Sequence, residues 1–357
     1  MALRSLLHRL VMIVCLGSAA MAGVGCATDA AVIDQANQMH SGLEPAVITD
    51  PHLAGYIQAV GERIIATARE MNRQNYGPSA HREEDSQWMY SKEMQFHFVN
   101  SKTLNAFTTG GEHMYIYTAL FEQCKTEDEL AAVMAHEYGH VYGRHIHKSM
   151  NRQYLVLGSA AAMGLVGYAA GGDKHGDEYA SAFASAAVLV GNFIGMGYTR
   201  KDEAQADQMG FDFYVRAGWD PAHFADFFQG LIDKGMDTTP EILSDHPPLR
   251  DRVAAARERA NQLPPAARNW RKPNVATPQQ FAELKRWAIE VGQHMPDDKS
   301  LEKAQELLQA LPRSCLTPVV QQDQQQAQQK IIDDLQRVEE QQRQADQAAR
   351  RQSRSGH

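Results

Sequence analysis

Two histidines four residues apart with a glutamate between them, His136-Glu137-Tyr138-Gly139-His140, limit what this chain can become more than any other feature. On an α-helix, side chains four apart share one face, so both imidazoles can reach a single ion. Glu137, beside the first ring, can then reach a water on that ion. A zinc ion lowers the pKa of such a water toward neutrality, and a carboxylate can take its proton. The flanking residues supply the helix. Thr126 and Glu129 have capping-box spacing, Asp128 adds negative charge to the first turn, and Leu130, Val133 and Met134 lead into the histidines.

Two histidines do not complete a catalytic zinc site, which takes a third protein ligand and keeps one position open. Glu203, Asp207, His145, His147 and His246 are the downstream candidates. Glu203 and Asp207 lie four apart on a helix that starts near Thr199 and stops at Gly218. That spacing suits one carboxylate on the metal and a second behind it, holding a ligand histidine by its other ring N–H. His145 and His147 are two apart, on different faces of a helix, and His145, five residues from His140, is off the ligand face. Both are expected to be structural.

The remainder reads as an α+β chain, mainly helical. Asp50-Pro51 opens an amphipathic helix carrying Leu53, Ile57, Val60 and Ile64 to about residue 72. A polar loop over 73–92 leads to a strand at Met94–Val99, a turn near residues 100–102, the Gly110-Gly111 pair and a second strand at His113–Tyr117. Two Ala/Gly/Ser-rich apolar stretches, 154–170 and 179–198, allow two readings: a membrane hairpin, or a pair of buried helices covering the site. The second is favoured, since Ala, Gly and Ser gain little from lipid. Asp220-Pro221 opens another helix, residues 264–278 are punctuated by prolines, and a helix follows around 279–292. From 321 the chain is Gln-rich and polar, a solvated helix or disorder.

The N-terminus carries an address. Arg4, His8 and Arg9 precede an apolar run from Leu10 to Leu16 and small residues before Cys26, the layout of a secretory signal over residues 1–25. Gly23-Val24-Gly25-Cys26 approximates a lipobox, which would acylate Cys26 and anchor the chain to a membrane; ordinary cleavage after Ala20-Met21-Ala22 is the alternative. Lipidation leaves Cys124 and Cys315 as an even pair, able to bridge in an oxidising compartment; a buried thiol at Cys124 is the other reading. A net charge of −8 with no basic stripe excludes nucleic acid as a partner.

The stretch from about residue 50 to 260 resembles the gluzincin zinc metallopeptidase family of CAAX-prenyl protease-like, HtpX-like and BepA/LoiP-like envelope proteases. The matching features are the Tyr56 helix, Asn105-Ala106-Phe107 before Gly110-Gly111, and the His136 motif. They continue with Glu203-Ala204-Gln205-Ala206-Asp207 and Gly210, then His246-Pro247-Pro248 with Arg252. Thr109 departs from the proline common before the glycine pair. The resemblance implies a zincin-type domain, over residues 26–262, with a small β-sheet beside the HExxH helix. A helical extension over 263–320 and the polar tail over 321–357 would follow. It further implies one Zn2+ per chain on His136, His140 and Glu203, and Glu137 as general base. Asp207 would support a ligand histidine. His246 would lie near the metal, stabilising the oxyanion or occupying the open position, unless it is only a loop histidine. Arg252 is expected to be a structural ion-pair partner.

The activity so implied is zinc-dependent endopeptidase cleavage of unfolded or misassembled envelope proteins, facing the periplasm. Ala27 after the lipid cysteine points to the outer membrane. The His113–Tyr117 strand is expected to offer a sheet edge to an extended substrate. Two rival functions stand beside it: a catalytically silent metal-binding scaffold or chaperone-like adaptor, and a zinc amidase acting on cell-wall peptides. The first would expect Glu137 to be replaced, and the second lacks a sugar-binding aromatic cluster.

Overall fold

The computed structural model describes residues 29–76, 88–90, 93–157, 198–236, 248–311 and 324–333, and the single positions 187, 190, 337, 340 and 344. The signal segment with Cys26, most of the two apolar stretches, His246, Cys315 and most of the tail lie outside the described residues. No described helix is long and apolar enough to cross a membrane.

Helix α1 (Asp29–Leu43) is followed by α2 (Pro51–Tyr76). The Asp50 carboxylate accepts from the backbone N–H groups of His52 and Leu53, both at 3.0 Å, and Pro51 fills the first helical position. α2 continues to Tyr76, past the end expected near residue 72. Three strands follow: β1 (Gln95–Val99), β2 (Ala106–Thr108) and β3 (His113–Tyr117). β1 and β3 fall where the alternation put them. β2 was not anticipated, because three residues are too few to display a period of two.

The strands are ordered β1-β3-β2, with β3 parallel to β1 and antiparallel to β2. This overturns the docking edge expected at His113–Tyr117. β3 is the central strand and both its sides are already hydrogen-bonded, so it has no edge to offer.

The pleat divides the sheet between two layers. Phe96, Phe98, Ala106, Met114 and Ile116 face one core, with Leu53, Ile57, Val60 and Ile64 of α2 and the helix α4 (Glu127–Tyr142). The short α3 (Thr118–Gln123) connects β3 to it. Val99, Phe107, Tyr115 and Tyr117 face the other way, onto Val32, Met39 and Leu43 of α1. Beyond α4 come α5 (His145–Leu157), α6 (Arg200–Ala217), α7 (Asp226–Asp233), α8 (Leu249–Asn261), α9 (Pro278–Gln293) and α10 (Lys299–Ala310). Leu301, Ala304, Leu307 and Leu308 of α10 complete the second layer, and the Tyr117 hydroxyl donates to the Leu308 carbonyl at 2.8 Å. Asp220 caps a 3-10 turn at Pro221–His223 before α7, where a helix was expected to open directly.

The start of α4 is fixed by more than its cap. The Thr126 hydroxyl accepts from the Glu129 N–H at 3.3 Å, while the Glu129 carboxylate takes the Lys125 N–H at 2.7 Å, one residue short of a reciprocal capping box. The buried Glu127 accepts from the Trp219 indole at 3.0 Å and from the backbone N–H groups of Val275 and Ala276, both at 2.7 Å. Asp128 accepts from the Tyr214 hydroxyl and the Asp220 N–H, each at 3.1 Å, and from the Asn274 amide at 2.8 Å. These acids pin the end of α6 and the proline-punctuated segment to the head of α4. Glu127→Ala strands the buried donors of Trp219, Ala276 and the Tyr56 hydroxyl, together with the part-buried Val275 N–H, and is expected to cost about 3–5 kcal/mol of unfolding free energy. A urea titration against the parent chain measures it, and a loss below 1 kcal/mol would show that these donors find other partners.

Candidate metal centre

α4 is buried along nearly its whole length, with His136, Glu137 and His140 fully enclosed. The two rings stand one turn apart with their Nε2 atoms 3.1 Å from each other. α6 brings the third group. Its Thr199–Asp202 capping box fixes where the helix begins, which puts the buried Glu203 in the first turn. One Glu203 oxygen lies 3.6 Å from His136 Nε2 and the other 3.7 Å from His140 Nε2.

α4 and α6 meet almost backbone to backbone. A Cβ at Gly139 would lie 2.7 Å from the Ala206 carbonyl oxygen, and one at Gly210 would lie 2.8 Å from the His136 Cα. Real Cβ atoms do not approach this closely, so glycine at both positions lets the two helices come near enough for three side chains to converge.

Each ring is held by its second nitrogen. Asp207, one turn beyond Glu203, places Oδ1 2.8 Å from His136 Nδ1. The Nδ1–H donates to it, which leaves the Nε2 lone pair facing the centre. Arg252 of α8 donates to both Asp207 oxygens, at 2.9 Å from Nε and 2.7 Å from Nη2, and its guanidinium lies 4.3 Å over the Phe228 ring. Burial alone would raise the Asp207 carboxyl, but Arg252 and the His136 hydrogen bond outweigh it and hold it well below the usual carboxylate range. Arg252 is thus an ion-pair partner, as expected, and its partner is the carboxylate that orients a ring.

His140 has a different support. His145 Nδ1 lies 3.0 Å from His140 Nδ1, and His145 Nε2 lies 3.0 Å from the Gln205 side-chain oxygen. With that oxygen as acceptor, His145 donates from Nε2, accepts at Nδ1 from His140, and leaves the His140 Nε2 lone pair toward the centre. Burial pulls the His145 pKa down, keeping it neutral and able to accept. Tyr198 stacks on the His140 ring with centroids 3.9 Å apart.

His145 stays out of the ligand group, as expected, and its contact with His140 arises because the helix does not continue. Arg144 takes φ 54°, α4 ends, and the chain turns back so that His145 opens α5 against the ring it follows. Nothing in the local pattern announces that turn. His147 points elsewhere, onto Asp29 at 2.6 Å, which also accepts from the Trp88 indole at 3.2 Å. Cys124 is fully buried, and burial raises its thiol pKa.

Two Nε2 lone pairs aimed at each other across 3.1 Å repel unless they share a positive charge. Donor atoms each roughly 2.1 Å from one tetrahedral ion are about 3.4 Å apart. The three separations of 3.1, 3.6 and 3.7 Å bracket that figure, so these residues fit a divalent ion of the zinc kind. The structure therefore brings together His136, His140, Glu203 and Asp207, with Glu137 buried on the same turn of α4, and His246 lies outside the described residues.

Residues 52–260, more than half of the chain, match Peptidase family M48. The chain belongs to that family. Among M48-like relatives, the beta-barrel assembly-enhancing protease of Escherichia coli K12 is 32% identical over 230 residues, covering 61% of this chain and 41% of the relative. The metalloprotease LoiP of the same organism is 28% identical over 159 residues, 44% of this chain and 60% of the relative. The mitochondrial metalloendopeptidase OMA1 of Saccharomyces cerevisiae is 27% identical over 167 residues, 44% of this chain and 45% of the relative. This M48 chain thus spans less than half the length of the beta-barrel assembly-enhancing protease.

Proposed function

We propose that this protein is a zinc-dependent endopeptidase that cleaves unfolded or misassembled proteins of the bacterial cell envelope. The observation carrying this reading is the convergence of His136, His140 and Glu203 from two helices, with Glu137 on the same buried turn. In this reading those three residues hold one zinc ion, which when bound supplies a Lewis acid for a peptide carbonyl and lowers the pKa of water. Glu137 takes the proton of the attacking water and delivers it to the leaving amine. Asp207, fixed by Arg252, holds His136 in the tautomer that keeps its Nε2 free of a proton. His246 is assigned to the oxyanion that forms at the carbonyl.

The substrate class is supported by the relatives' names, which speak of a beta-barrel assembly-enhancing protease and of metalloproteases. The signal-like N-terminus supports export to the periplasm, with lipidation at Cys26 anchoring the chain to the outer membrane. The test is direct. Purified chain is offered casein or an unfolded porin, with and without a chelator. Cleavage is expected to fall at least 100-fold on chelation and to return when zinc is restored. No cleavage, or cleavage indifferent to the chelator, overturns the assignment.

A further inference from the structure

A second group of histidines lies on the face of the sheet turned away from α4. His97 of β1 and His113 of β3 project from neighbouring strands, and His40 of α1 lies across them. His97 Nε2 is 2.9 Å from His113 Nδ1, and the His40 ring stacks on His113 with centroids 4.2 Å apart and planes 3° from parallel. One nitrogen from each of the three rings falls within 4.8 Å of the others. The group shares no residue with the HExxH site, from which the sheet separates it.

Its surroundings choose the nitrogens. The Asn37 side-chain oxygen lies 2.9 Å from His113 Nε2 and accepts its proton, so His113 Nδ1 presents a lone pair to the cluster. The Tyr115 hydroxyl lies 2.9 Å from His40 Nδ1, which leaves His40 Nε2 for another partner. Burial pulls all three pKa values down, with His97 and His113 lowered to about 3, so the rings are neutral near pH 7 and no imidazolium proton has to be displaced. His113 is buried while His40 and His97 are partly exposed, so an ion can reach the group from one side. Glu44, whose charge is felt at His40, offsets part of an added positive charge. A buried polar cluster would also explain the hydrogen bonds, but it does not require three imidazoles from three separate elements. Neutral imidazole is the ligand that borderline divalent cations prefer.

We propose that His40, His97 and His113 form a second zinc site, which clasps α1 to the sheet. His97 supplies Nε2 after its proton moves to Nδ1, a tautomeric shift with no net change in charge, and His113 supplies Nδ1. Modest ring rotations close the donor atoms from within 4.8 Å to the roughly 3.4 Å of a tetrahedral ion. The remaining position is left to water.

The test is zinc stoichiometry of the untagged full chain after chelation and dialysis against zinc, read by elemental analysis. Two ions per chain are expected, and one in His40→Gln, which keeps the HExxH residues and is expected to keep its peptidase activity. Glu203→Ala is expected to retain one ion. Zinc at a hundredfold excess over its dissociation constant should raise the melting temperature of Glu203→Ala by roughly 5 °C. An unchanged zinc content in folded His40→Gln overturns the proposal. If His40→Gln fails to fold, a Glu203→Ala chain that binds no zinc overturns it. A parent chain that holds a single ion, lost in His40→Gln and kept in Glu203→Ala, would uphold this site while sinking the reading of the HExxH centre.

Discussion

Exchange of Glu137 for glutamine is expected to slow peptide cleavage about 10³-fold while leaving the melting temperature and the bound metal unchanged. Glutamine has nearly the same shape as glutamate, so the fully buried position on α4 stays filled. It lacks the one property the reaction needs from this residue, a basic oxygen that takes up a proton and gives it back. The proposed ligands are His136, His140 and Glu203, so metal retention should not depend on Glu137. The readouts are kcat/KM on an unfolded protein substrate, elemental zinc, and a thermal melt. A variant that keeps a tenth or more of the parent rate would remove Glu137 from the proton path. Lost zinc would instead move it into the ligand set.

Arg252→Met should do the opposite, harming the fold and the metal together. Methionine fills much of the volume beside Phe228 but cannot donate to Asp207, whose carboxylate would stay buried with its main counter-charge gone. Removing one partner of such a pair costs about 3–5 kcal/mol. The sign with pH follows from the Asp207 carboxyl lying below its unfolded value. Its contribution is present above the ordinary aspartate range and is lost as pH falls through the depressed value in the folded chain. Parent and variant should therefore differ most near neutrality and converge in strong acid. Because Asp207 orients His136, zinc affinity should also drop about 10- to 100-fold. Equal urea midpoints for the two chains at pH 7 would show the pair to be worth nothing.

The candidate metal group could be read from the chain because its parts are local. Spacing four on a helix, a threonine cap before each helix and a carboxylate pair at the same spacing are facts about neighbouring residues. Helix geometry converts them directly into a shared face. What escaped depends on distant residues. β2 is too short to show a pattern, and the central place of β3 is a matter of which strands pair. The support of His140 by His145 and Gln205 follows from a left-handed residue at Arg144, a conformation in which a non-glycine residue gives no compositional signal. The three histidines at 40, 97 and 113 are scattered over more than seventy positions, and only the sheet register and the packing of α1 on the sheet bring them together.

The glycine contact between α4 and α6 has a consequence for which cations the centre will accept. With Gly139 against Ala206 and Gly210 against His136, the helices can neither spread much nor slide without losing their packing. The gap among two imidazoles and one carboxylate is therefore a gauge, set by the scaffold before anything is loaded. Calcium, which takes 6–8 oxygens at about 2.3–2.6 Å, is both too large and wrongly supplied, and magnesium, seeking six oxygens, finds one carboxylate. Selection in such a place works through fixed dimensions, not through any folding that the ion itself would have to drive.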